Sequence, residues 1–186
     1  MFYYPNRPSL IPPDKSYIQD LEQSGLWVAE QKWNGDNTQL ETGPSLEFWN
    51  RRKDMYRYNP TKEVLKELQV FPSSCLINLE TVHYHTKTVK NLLIVHCIMV
   101  HNGQTLYGKT WQDSRNILET FTYGKYVVLS KIWTKGFWDL FQEADGDIIE
   151  GIILKKKTGL LKFSTSPITD VGWMVKARKP SKKYSF

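Results

Sequence analysis

Two stretches of this 186-residue chain carry residues suited to handling a nucleoside triphosphate. Gly103-Gln104-Thr105-Leu106-Tyr107-Gly108-Lys109-Thr110 matches G-x-x-x-x-G-K-[ST] letter for letter. In such a loop backbone N–H groups cradle phosphates, the lysine neutralises them and the hydroxyl holds Mg²⁺. The stretch follows a strand-like run and precedes a helix-like one. A P-loop NTPase also needs a second strand ending in Asp, and Tyr126 to Ile132 supplies no such acid. The other stretch is Glu30-Gln31-Lys32-Trp33-Asn34-Gly35, with Lys32 at a strand end before a tight turn. A lysine so placed is a candidate nucleophile, and equally an ordinary surface lysine beside a hairpin. His83, His85 and His101 show no ligand spacing with a third partner, so no zinc site is expected.

Composition narrows the field. Lys plus Arg is 25 and Asp plus Glu is 19, a net charge of +6 and a pI near 9.2. Seven Trp, ten Tyr and eight Phe accompany that charge, a mixture suited to stacking bases and neutralising phosphates. It also suits a core rich in large side chains. Cys75 and Cys97 form no CxxC, which excludes a disulfide scaffold and a Cys-rich zinc site and favours a reducing, cytoplasmic setting. The longest apolar stretch, Leu92 to Val100, is interrupted by His96 and falls short of the roughly 20 residues of a membrane span. The opening MFYYPNRPSLIPP lacks the basic and apolar regions of a signal peptide.

The elements that must position these residues are legible in outline. Residues 1–15 carry four prolines and read as an extended arm. A short helix is expected over Ser16–Ser24, and a strand over Leu26–Lys32 that turns at Asn34-Gly35 into a return strand at Thr38–Leu40. Phe48–Tyr58 holds Arg51, Arg52, Lys53 and Arg57. Thr61–Leu68 reads as a helix capped by Thr61. Strands are expected over Cys75–His83, Asn91–Val100, Tyr126–Ile132, Ile148–Lys155 and Trp173–Arg178, and helices over Trp111–Phe121 and Thr134–Glu143. Arg115 and Glu119 stand four apart on the first of these. Gly159–Phe163 is expected to pair back onto the Ile148–Lys155 strand. Strands and helices do not alternate strictly, so the fold class is α+β, with antiparallel sheets flanked by helices. One domain over 1–186 is expected, ending in a basic tail at 179–186 that includes Lys179, Lys182 and Lys183.

Taken in order, a series of segments resembles the motifs of the covalent nucleotidyltransferases, the superfamily of ATP-dependent DNA and RNA ligases and capping enzymes. Lys32-Trp33-Asn34-Gly35, with Glu30 two positions before, resembles their K-x-D-G. Arg51 and Arg52 stand where an arginine follows about twenty residues on, and Arg52 is taken as the site residue. Leu76-Ile77-Asn78-Leu79-Glu80 resembles the strand that ends in a carboxylate. Leu93 to Gly103 resembles the apolar strand with a base-stacking ring, His96 holding the ring's place. Glu150-Gly151-Ile152-Ile153-Leu154-Lys155 resembles E-G-x-x-x-K, and Trp173 to Arg178 the closing K-x-K strand. The match runs from Glu30 to Arg178, and in it the P-loop-like stretch is only a connector. The chain departs at Asn34 for Asp, at Asn37 where DNA ligases mostly carry Arg and some RNA ligases Asn, at His96 for Phe or Tyr, and at Arg178 for Lys. It ends eight residues after Arg178, where DNA ligases normally continue into an OB-fold.

The resemblance implies an ATP-grasp-like nucleotidyltransferase domain of the DNA ligase type, in a minimal, phage-like enzyme. It implies a monomer that seals 5′-phosphate to 3′-hydroxyl ends at nicks in duplex nucleic acid, DNA ranking ahead of RNA or mixed strands. The catalytic residue implied is Lys32, which takes AMP from ATP. Glu30, Asn37, Arg52, Glu80, His96, Glu150, Lys155, Lys176 and Arg178 would meet the nucleotide, and Glu80 and Glu150 would hold Mg²⁺. The reaction needs the amine uncharged, a form that clustered cations favour. The alternatives are the P-loop NTPase built on Gly103–Thr110 and a non-catalytic nucleic-acid-binding module.

Overall fold

The computed structural model of the protein describes residues 2–166 and 171–180. In chain order these form β1 (Ser9–Leu10), α1 (Lys15–Gln23), β2 (Trp27–Trp33), β3 (Asp36–Thr42), β4 (Leu46–Asn50), α2 (Lys62–Leu68), β5 (Cys75–Val82), β6 (Leu92–His101), β7 (Gln104–Thr105), α3 (Trp111–Leu118), β8 (Val127–Leu129), α4 (Phe137–Glu143), β9 (Ile149–Lys156) and β10 (Met174–Arg178). The strands make two sheets, in the orders β1-β10-β9-β2 and β4-β3-β5-β6-β7, with β8 alongside β6. Apart from the parallel pairs β1/β10 and β6/β8, the ladders are antiparallel. The fold is α+β, as expected. None of the described helices is long and apolar enough to cross a membrane.

Period-two alternation sorts each sheet into an apolar and a polar face. In the smaller sheet Ala29, Ile152, Leu154, Val175 and Ala177 pack with Ile18 of α1 and Phe137, Leu140 and Phe141 of α4. The residues between them, among them Glu30, Lys32, Ile153, Lys155, Lys176 and Arg178, take the other face. In the larger sheet Leu40, Ile77, Leu79, Leu93 and Val95 pack with Val64 and Leu68 of α2. That leaves Asn37, Asn78 and Glu80 on the face turned toward the first sheet. Helices α2 and α3 start on side-chain caps, whereas α4, expected from Thr134, begins at Phe137 after a left-handed Gly136 with no side-chain cap. Thr61 accepts from the Val64 N–H at the start of α2, and Thr110 and Asp113 close a reciprocal capping box on α3.

Two expected pairings are replaced. Asn34-Gly35 does not close a hairpin: β2 belongs to one sheet and β3 to the other, so the turn carries the chain between sheets. Gly35 is needed there for space rather than for a left-handed turn, since a Cβ would lie 2.7 Å from the Thr81 carbonyl and 2.9 Å from Glu80 Cγ. The left-handed Asn-Gly hairpin falls at Asn102 (φ 51°) and Gly103 (φ 76°), between β6 and β7. Residues 159–163 do not pair back onto β9. They run beside 108–111 and send Leu161 and Phe163 into the larger core. The expected arm is stitched down: Ser9 and Leu10 pair with Val175 and Lys176, and the Tyr4 N–H donates to the Ser164 carbonyl at 2.7 Å. Lys182 and Lys183 of the expected basic tail lie outside the described residues.

Candidate active site

Lys32 ends β2 on the polar face of the smaller sheet. Its register partner on the neighbouring strand β9 is Gly151, and Gly151 faces Arg178 on the other side. A side chain at 151 would occupy the space between them: a Cβ there would lie 2.1 Å from the Ala177 carbonyl oxygen, and φ is +152°. The glycine therefore lets three strands close up beneath the lysine. Immediately before it the register slips, because Lys32 faces Gly151 while Trp33 faces Ile149. Glu150 is the extra residue of that bulge. Strict alternation would turn it toward the apolar core, and the bulge re-aims it at the site. Its carboxylate accepts from the Lys32 ammonium, and Arg178 Nε lies 3.5 Å from the same oxygen, Oε2.

The larger sheet supplies the facing wall. Asn37 and Glu80 are partners in the β3/β5 ladder. Glu80 Oε1 accepts from the Gly35 N–H at 3.1 Å, so the carboxylate is tied to the turn that follows Lys32. Burial pushes the Glu80 carboxyl up to about 7, with the neighbouring acids Glu150 and Asp36 adding to the rise and the charge of Lys32 opposing it. His96 is the extra residue of a second bulge: Asn78 faces Cys97 while Leu79 faces Val95. That irregularity turns a histidine out of an otherwise apolar strand.

His96 joins the two sheets through Glu30. Glu30 is fully buried, and its carboxylate accepts from Lys155 Nζ at 2.8 Å and Ser130 Oγ at 2.8 Å, with His96 Nδ1 at 3.2 Å. Burial works against this negative charge, but the charges and hydrogen bonds of Lys155 and His96 outweigh it and hold the carboxyl down to about 2. Burial keeps His96 below the usual imidazole range. Lys155 is itself 4% exposed and stands 5.7 Å from the ring centroid of Trp111. Glu30 thus lies beneath the site rather than on its wall, and it positions Lys155 and His96. Its carboxylate, expected to meet the nucleotide, holds these three side chains here.

Two cavities meet at Lys32. One, of about 260 Å³, is lined by Asn78, Glu80, His96, Lys155 and Lys176 and by apolar groups such as Met99 and Phe163. Tyr4, Pro5 and Arg7 of the N-terminal arm close one side of it. The other, of about 860 Å³, is open and polar, with Arg51, Arg52, Glu150 and Arg178 on its walls. Lys32, Asn37 and Arg51 line both. Of the two arginines expected to compete for the site, Arg52 reaches only the larger cavity, whereas Arg51 reaches both.

The Gly103–Thr110 stretch is elsewhere and is not a phosphate cradle. Its backbone donors are already used. The N–H of Gly103 goes to Ser74 O, Leu106 to Met99 O, Gly108 to Leu161 O and Lys109 to Leu106 O. The Thr110 N–H goes to Asp113 Oδ2. The expected residues Lys32, Asn37, Glu80, His96, Glu150, Lys155, Lys176 and Arg178 all come together around the two cavities. Sequence reasoning missed Ser130, the arm residues, and an Asp36 pair at the rim, where the Tyr56 hydroxyl donates to Asp36 Oδ2 at 2.6 Å and His85 Nε2 lies 3.0 Å from Oδ1. These residues sit in loops or at strand ends, and no spacing in the sequence links them.

No protein-family model matches the chain, and no curated protein sequence does. Solved structures match it by shape. The ligase domain of LigD from M. tuberculosis superimposes with a TM-score of 0.65 at 16% identity, over 94% of this chain and 59% of that one. The ATP-dependent DNA ligase of bacteriophage T7, in complex with ATP, gives 0.54 at 11% identity, over 94% and 68%. An archaeal ATP-dependent RNA ligase gives 0.55 at 11% identity, over 92% and 47%. The chain spans between half and three-fifths of the length of the mycobacterial ligase structures it matches. The two sheets and these three likenesses identify the fold as that of the nucleotidyltransferase domain of ATP-dependent DNA and RNA ligases.

Proposed function

We propose that the protein is an ATP-dependent polynucleotide ligase, acting as a monomeric adenylation domain on nicks in duplex nucleic acid, with DNA ranked ahead of RNA. The observation that carries this reading is the position of Lys32. Its amine sits where a small, partly apolar cavity joins an open polar cleft, between Glu150, Arg178 and the face that bears Glu80. A nucleoside fits the first space by size and lining, and polyphosphate or a nucleic-acid end fits the second.

In the first step the Lys32 nitrogen attacks the α-phosphorus of ATP. The N–P bond forms, the bond from phosphorus to the bridging oxygen breaks, and pyrophosphate leaves. The amine must give up a proton, and the Glu150 carboxylate that already accepts from it is the nearest base. Arg178 and Lys176 face the charge that develops on the phosphoryl oxygens. The AMP then passes to a 5′-phosphate, and a 3′-hydroxyl displaces it to seal the strand. Lys155 and His96, fixed by Glu30, line the nucleoside space, with His96 offering a ring to the base. The donor set fits Mg²⁺: Glu80 on the smaller cavity and Glu150 on the larger would offer carboxylate oxygens where the two cavities meet at Lys32, and Mg²⁺ needs only one or two carboxylates beside substrate phosphates. When bound there it would offset the charge of the triphosphate.

The test is a panel of nicked duplexes with DNA or RNA on each side of the nick, incubated with ATP and Mg²⁺ and resolved on denaturing gels. Joined product from the protein and none from Lys32→Ala supports the proposal. Duplex binding with no joining by the unaltered protein overturns it in favour of a non-catalytic binding module.

A further inference from the structure

We infer that Asn78 reads the base of the nucleotide, accepting from the 6-amino group of adenine; this rests on the ligase reading above. Asn78 lies on β5 two residues before Glu80, on the same face, and lines the smaller cavity. It is 8% exposed, and its Oδ1 has no hydrogen-bond partner among the described residues. Buried acceptors are almost always paired, and a carbonyl oxygen left without a partner is costly unless something arrives to pair it. The indole Nε1 of Trp173, on the same cavity, is likewise buried without a partner. An unmatched acceptor and an unmatched donor on residues of one partly apolar cavity suit a heterocycle that presents an amino group and a ring nitrogen. Adenine does so along its 6-amino edge. Glu30 is fully buried and already holds Lys155, Ser130 and His96, whereas the Asn78 oxygen holds nothing among the described residues.

The test measures nucleotide affinity directly. Calorimetry on the full chain carrying Lys32→Ala, which cannot form the adduct, compares ATP with purine riboside triphosphate, which lacks only the 6-amino group. ATP is expected to bind roughly tenfold or more tightly than the analogue, the discrimination typical of a base-edge contact. With Asn78→Leu added, the two are expected to bind within about twofold of each other, because the amino group has lost its acceptor. Asn78→Ser serves the same purpose if the leucine variant does not fold. Equal binding of ATP and the analogue before any change at 78, or an unchanged preference after it, overturns the inference. If Lys32 of the unaltered protein still takes up adenylate in that case, the ligase reading survives alone. If no triphosphate binds and no adduct forms, both fall.

Discussion

Replacing Glu30 with Gln removes one charge from a fully buried network and leaves its shape nearly intact. The carboxyl is held down from 4.5 to about 2 in the folded protein. At 1.36 kcal/mol per pH unit, that difference corresponds to about 3 kcal/mol of stability at neutral pH. An independent estimate agrees, since removing one partner of a buried ion pair costs roughly 3–5 kcal/mol. Here the group left behind is Lys155, itself 4% exposed. The folded protein takes up this proton less readily than the unfolded chain. The contribution is therefore complete above about pH 5, falls to roughly half near pH 3, and vanishes below pH 2. Urea unfolding followed by tryptophan fluorescence measures it. The Glu30→Gln variant should be about 3 kcal/mol less stable at pH 7, with the gap narrowing in acid. Glu30→Leu combined with Lys155→Met should recover most of the loss, because no unpaired charge remains. A gap below about 1 kcal/mol at pH 7, or one that does not change down to pH 3, would refute the reasoning.

Glu80 behaves in the opposite sense. Its carboxyl is raised to about 7, so the folded state resists ionising it and stability declines as pH rises from 4.5 through 7. Glu80→Gln should raise the thermal midpoint at pH 8, with little effect at pH 4.5, and should lower the rate of adenylate uptake measured with labelled ATP. Gly151→Ala places a Cβ 2.1 Å from the Ala177 carbonyl, at a φ of +152°. A loss of roughly 3 kcal/mol, read by urea unfolding, is expected. Lys109→Ala should leave both nucleotide affinity and adduct formation unchanged, because the backbone around it makes no phosphate cradle.

How far the site could be read from sequence depended on the kind of interaction. Motifs whose residues alternate along one strand, such as Lys176 and Arg178 on β10, were legible because period two alone puts them on one face. Local capping was legible too, as at Thr61. Bulges were not. Glu150 and His96 reach the site only because each is an extra residue in its ladder, and nothing in the sequence marks where register slips. Asn34-Gly35 looked like a hairpin because the same two letters serve a left-handed turn and a close approach, and only Thr81 and Glu80 packed above Gly35 decide between them. The burial of Glu30 depends on Ser130, one hundred residues away, and on Lys155, 125 residues away. The arm at residues 4–8 could be seen as extended, yet not as a wall of the smaller cavity, since that requires Ser164 and β10 to be brought alongside.

The most direct test of the account is to incubate the protein with ATP and Mg²⁺, digest it, and locate any adenylate by mass spectrometry. A single adenylate on the peptide that contains Lys32, acid-labile as a phosphoramidate should be and absent from Lys32→Ala, is the predicted result. Adenylate on Lys109 or another lysine, or none at all from protein that binds ATP, would contradict it.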